Sequence, residues 1–82
     1  MNNFGEGIDS KLENILKEIF KIDEINLENS MDDIPEWDSF RHIQLLTKIE
    51  NEFKIKIEMS DFTIMTSIPI IKSKISMYLN ER

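Results

Sequence analysis

Eighty-two residues make a single domain with a thin core, too small for a large substrate cavity or an extended catalytic apparatus. The absence of cysteine excludes disulfides, thiol nucleophiles and thiolate metal clusters. A formal net charge of −6 disfavours nucleic acid as a partner, and no apolar run approaches the roughly 20 residues of a membrane span.

The charge is unevenly spread. Residues 1–38 carry eleven acidic side chains against three lysines, or −8, and the remainder carries +2. An acidic end suits steering onto basic partner surfaces, and it equally keeps a small protein soluble. Met1 to Ser10 has neither a basic start nor an apolar centre, so no signal peptide and a cytoplasmic setting are expected. Residues 1–7 hold both glycines and are expected to fray, within one domain spanning 1–82.

Ser10 with Glu13 three residues on is a capping-box signature. Leu12, Ile15, Leu16, Ile19 and Phe20 follow on one face and predict a first helix over about 10–21. Lys11, Glu13, Lys17 and Glu18 fall on the outer face, as a partner surface or as solvated ion pairs. Lys21 to Glu36 reads as a long connection, with a short turn near Asn29–Asp32. Ile22, Ile25, Leu27, Met31 and Ile34 recur through it as pins that hold it across the helices. Loops of this length are uncommon unless they serve a function or are disordered, and the function here would be to deliver Asp38 and Ser39 to the helix start. Asp32, Asp33, Glu36 and Asp38 lack the spacing and central glycine of a calcium loop. Pro35 keeps Ile34 extended.

Asp38 is a good N-cap for a second helix over about 39–52, with Ser39 at its first position. A helix start offers unpaired N–H groups and partial positive charge, which suit a phosphate. Phe40, Ile43, Leu46, Ile49 and Phe53 recur at three- and four-residue spacing as one buried stripe that Leu45 widens. Arg41 and His42 are expected to be exposed. Trp37 is either a partner anchor or a staple that packs the loop on the helix. Lys54 to Ile57 alternates like a strand but has nothing to pair with, so it reads as an extended connector with Ile55 and Ile57 inward. Ser60 and Asp61 can cap a short third helix with Phe62 and Met65 inward. Thr66 or Ser67 caps the last helix, with Pro69 in its first turn and Ile68, Ile71, Ile75, Tyr78 and Leu79 as its apolar stripe. Five methionines fit an adaptable surface or gap-filling in the core.

The run Ile34-Pro35-Glu36-Trp37-Asp38-Ser39-Phe40, an apolar helix, and then Glu50-Asn51-Glu52-Phe53-Lys54-Ile55-Lys56-Ile57 resembles the acyl carrier proteins. Size, acidity, the amphipathic first helix and Thr66-Ser67-Ile68 extend the likeness over nearly the whole chain. The resemblance implies an all-α bundle of three main helices and one short helix, with a long loop between helices 1 and 2. It implies a carrier, not an enzyme: 4'-phosphopantetheine covalently attached to Ser39, with Asp38 supporting, holds an acyl or aminoacyl group as a thioester. It also implies as partners a phosphopantetheinyl transferase, a loading ligase and a downstream acyltransferase or synthase, and a monomeric carrier. Carriers of fatty-acid synthesis usually present acidic residues along the second helix. Arg41, His42 and Lys48 depart from that pattern and point to a specialised fatty-acid, polyketide or cell-envelope pathway. Phe40 in place of leucine is similar to the D-alanyl carrier proteins, a related group.

Two other readings stand beside the carrier. A small acidic helical adaptor would bind a protein partner with no covalent group. A hydrolase would use Ser39 with His42 as base, but the sequence shows no third orienting group or oxyanion site.

Overall fold

Helix α1 (Phe4–Phe20) turns Leu12, Ile15, Leu16 and Phe20 inward, each at most 4% exposed. The computed structural model describes residues 4–80. The helix begins at Phe4, six residues before the expected start, and residues 1–3 lie outside the described residues. Ser10 is an exposed residue within α1. Its capping-box spacing signals a helix start only where no helical turn precedes it, and here one does. The helix stops where Lys21 takes a left-handed φ of 58° and the Ile22 N–H closes back onto the Lys17 carbonyl at 3.2 Å. On the outer face, Lys17 pairs with Glu13 at 3.4 Å.

The connection that follows is pinned, as its apolar residues suggest. Ile34 and Trp37 are buried, and Ile22, Ile25, Leu27 and Met31 pack half-buried against the core. A 3-10 turn occupies Met31–Asp33. Ser30 donates to the Asp33 carboxylate from its N–H at 2.9 Å and from its hydroxyl at 3.3 Å, so that carboxylate serves the turn. The Met31 N–H donates to the Thr66 carbonyl (2.8 Å) and the Ile68 N–H to the Asn29 carbonyl (2.9 Å). These two bonds stitch the loop to the start of the last helix.

Helix α2 (Ser39–Phe53) buries Leu45, Leu46, Ile49 and Phe53. It does not bury Phe40 or Ile43, which are 69% and 56% exposed, so the expected stripe is corrected at its first two positions. The cause is geometric. Each residue advances about 100°, so a three-residue step falls about 60° short of a full turn. Three such steps separate Phe40 from Ile49 and put them on opposite sides of the helix. Lys54 ends α2 with φ 58° and ψ 47°, its N–H bonded to the Glu50 carbonyl.

Residues 55–58 form the expected extended connector, with Ile57 buried and its N–H held by the Glu50 carboxylate at 2.8 Å. Helix α3 (Met59–Phe62) starts earlier than expected. Glu58 is its N-cap, and Ser60 and Asp61 lie inside it. Helix α4 (Ile68–Asn80) buries Ile68, Ile71 and Ile75. The Ser67 hydroxyl accepts from the Ile70 N–H (3.3 Å), which settles the cap in favour of Ser67. Helix α1 packs against both α2 and α4, and among the described residues the fold is all-α, with three main helices and one short one.

Candidate functional site

The start of α2 projects from the pinned loop. Asp38 is extended (φ −106°, ψ −176°), and its carboxylate accepts from the Arg41 N–H at 2.9 Å, as a cap should. The His42 N–H closes the first turn on the Asp38 carbonyl at 2.8 Å. Ser39 follows the cap and is exposed, with exposed residues on either side. Among the described residues, the Ser39 and Phe40 N–H groups have no hydrogen-bond partner.

The local electrostatics suit an anion hung from the serine. The helix start is partially positive. The Asp38 carboxylate opposes a second anion, and the Arg41 guanidinium, 3.4 Å from that carboxylate, offsets it. No acidic residue occurs from Ser39 through Ile49. A serine phosphodiester therefore fits this place: an accessible oxygen, two unpartnered amides and a nearby cation.

Beneath the turn the packing is tight. Trp37 is 3% exposed and packs at a tilt against Phe20 of α1, with ring centroids 5.4 Å apart. Of the two sequence readings for Trp37, the structure selects the staple. His42 is half-buried, not exposed as expected, and Arg41 is likewise half-buried. The Trp37 indole N–H donates to His42 Nδ1 at 2.9 Å, and His42 Nε2 lies 2.7 Å from the Phe62 carbonyl oxygen. With both ring nitrogens engaged away from Ser39, His42 is not placed to serve as its base. The serine hydrolase loses its second member.

On the far side of α3 the Tyr78 hydroxyl donates to the Asp61 carboxylate and accepts from the Glu58 N–H at 2.9 Å, while Lys74 Nζ lies 3.3 Å from Asp61. The Tyr78 hydrogen bond holds the Asp61 carboxyl below its usual value against partial burial, with Lys74 assisting. Burial, then the bond to Asp61, pushes the Tyr78 hydroxyl up. This cluster clasps α3 to α4. Its members lie up to twenty residues apart, so no local spacing announces it.

Among the described residues, no helix is long and apolar enough to cross a membrane. The family model described as "Phosphopantetheine attachment site" matches residues 10–68. The chain is also similar to the solution NMR structure of a holo acyl carrier protein from Geobacter metallireducens. That similarity has 26% identity and a TM-score of 0.81, and covers 93% of this chain and 88% of the other. No curated protein matches the chain.

Proposed function

Because this chain belongs to the acyl carrier protein family, whose members carry covalent 4'-phosphopantetheine and are not enzymes, we propose that Ser39 is the attachment residue. The observation that carries the reading is the exposed Ser39 at the capped, amide-bearing start of α2. Asp38 supports it by fixing the first turn. In modification Ser39 Oγ attacks the pantetheine-side phosphorus of coenzyme A; the pyrophosphate P–O bond breaks, adenosine 3',5'-bisphosphate leaves, and the hydroxyl proton passes to a base on a separate phosphopantetheinyl transferase. The chain's own contribution is to hold that hydroxyl clear of the core and to stabilise the phosphodiester with the first-turn amides. Once attached, the arm supplies a terminal thiol that holds an acyl or aminoacyl group as a thioester. Tethering raises that group's local concentration at each partner's active site.

The partners beyond the transferase are a loading ligase and an acyltransferase or synthase. Phe40 and Ile43 stand exposed one and four residues after Ser39, on a helix that carries Arg41 and Lys48 but no carboxylate before Glu50. That surface supports partners that meet an apolar, mildly basic face, and hence a specialised fatty-acid, polyketide or cell-envelope pathway. The same exposed residues favour the second reading, an adaptor without a covalent group.

Intact mass after incubation with coenzyme A, Mg²⁺ and a broad-specificity transferase separates the two. The carrier gains one phosphopantetheine and Ser39→Ala gains none. An unmodified wild-type chain favours the adaptor.

A further inference from the structure

We propose that His42 is a positioning residue for the modification of Ser39: held as a neutral ring, it locks Trp37 and the end of α3 into one unit beneath the Ser39 turn. This role rests on Ser39 being the attachment residue. The tautomer follows from the partners. An indole N–H can only donate, so His42 Nδ1, 2.9 Å away, accepts and carries no proton. Nε2 then holds the ring's hydrogen and donates it to the Phe62 carbonyl at 2.7 Å. Both bonds are partly buried, so losing either leaves a polar group unpaired where water reaches it poorly.

Through these bonds one imidazole joins four parts of the chain. It belongs to α2. It holds Trp37, two residues before Ser39, against Phe20 of α1, and lies 5.9 Å from the indole, centroid to centroid. It also anchors the end of α3. That helix has four residues, none fully buried, and of these Phe62 packs half-buried against the core, which is little to hold so short a helix. Polar attachments add to it: Tyr78 and Lys74 from α4 on one side, His42 from α2 on the other.

Replacing the ring with an apolar side chain strands the Trp37 N–H and frees the Phe62 carbonyl. The Ser39 turn then samples more arrangements, and the competent fraction falls. When a binding-competent state is only partly populated, apparent affinity drops by that fraction. The transferase's KM for the carrier therefore rises while kcat at saturation holds.

The test compares wild type, His42→Leu, His42→Gln and Trp37→Phe as substrates of a phosphopantetheinyl transferase. Ile75→Val serves as a control for lowered stability far from the turn. Each variant is assayed at a temperature where circular dichroism shows it folded, and imidazole nitrogen NMR reads the wild-type tautomer. The expected result is a protonated Nε2 and a KM for His42→Leu raised about tenfold, the scale of one lost buried hydrogen bond, with kcat kept. Glutamine, which can both accept and donate, restores most of it. Trp37→Phe, which removes the indole donor along with part of the ring but leaves His42 in place, raises KM in the same direction and decides the matter if His42→Leu does not fold. Ile75→Val stays at the wild-type KM. A folded His42→Leu or Trp37→Phe with wild-type KM overturns the proposal, as does a proton on Nδ1 or an equal KM rise in Ile75→Val. Wild-type protein that takes no phosphopantetheine overturns the Ser39 assignment itself, an outcome distinct from these.

Discussion

Ile43 and Leu46 lie three residues apart on one helix, and truncating each should give opposite results. Leu46 is fully buried, so Leu46→Ala loses its transfer energy and leaves a cavity, at a cost of about 3 kcal/mol within a usual range of roughly 2–5. A domain of this length has roughly 4–12 kcal/mol in total. The loss corresponds to a fall in Tm of roughly 12–24 °C. Ile43 is 56% exposed, so under half of its side chain has left water. Complete burial of an isoleucine is worth roughly 1.5–3 kcal/mol, which makes the share at stake about 1 kcal/mol. Alanine's better helix propensity returns a few tenths, and about 0.5 kcal/mol remains. Urea unfolding followed by the fluorescence of buried Trp37 measures both. A loss of 2 kcal/mol or more in Ile43→Ala, or under 1 kcal/mol in Leu46→Ala, refutes the described orientation of α2.

The α3 clasp gives the domain a pH dependence with a definite sign. Asp61 is held below its ordinary value, so its contribution is present above about pH 4 and is lost as pH falls through its folded value. Tyr78 is raised, so its contribution is present below about pH 10 and is lost as pH rises through its folded value. In Tyr78→Phe the Tm profile should flatten at both ends, and unchanged acid and alkaline limbs contradict the clasp. At the end of α2, Lys54 occupies the left-handed region that favours glycine. Lys54→Gly should raise stability by roughly 0.5–1 kcal/mol in thermal melts, and a fall contradicts the assigned backbone.

Local signals were legible in the sequence. Asp38 could be read as a cap because its carboxylate serves amides within the next turn, and Pro69 marked the first turn of α4 because its ring fits only there. The loop's apolar residues announced that it is pinned. What could not be read depends on rotation and distance. Apolar spacing at Phe40 and Ile43 fits a continuing stripe until the shortfall of three-residue steps is followed around the helix. His42 is bound by an indole five residues earlier and by a backbone carbonyl twenty residues later, and a carbonyl leaves no trace in residue identity. At Ser10 a genuine capping signature was overruled by a turn of helix before it.

The central claim is that a prosthetic group hangs from one hydroxyl at the start of α2. Tandem mass spectrometry of the chain purified from cells that express it with a phosphopantetheinyl transferase reads this directly. The expected result is a peptide containing Trp37-Asp38-Ser39 that carries one phosphopantetheine on Ser39 and releases it by fragmentation. A phosphopantetheine on any other residue, or a chain of unmodified mass when the transferase is active on another carrier, contradicts the claim.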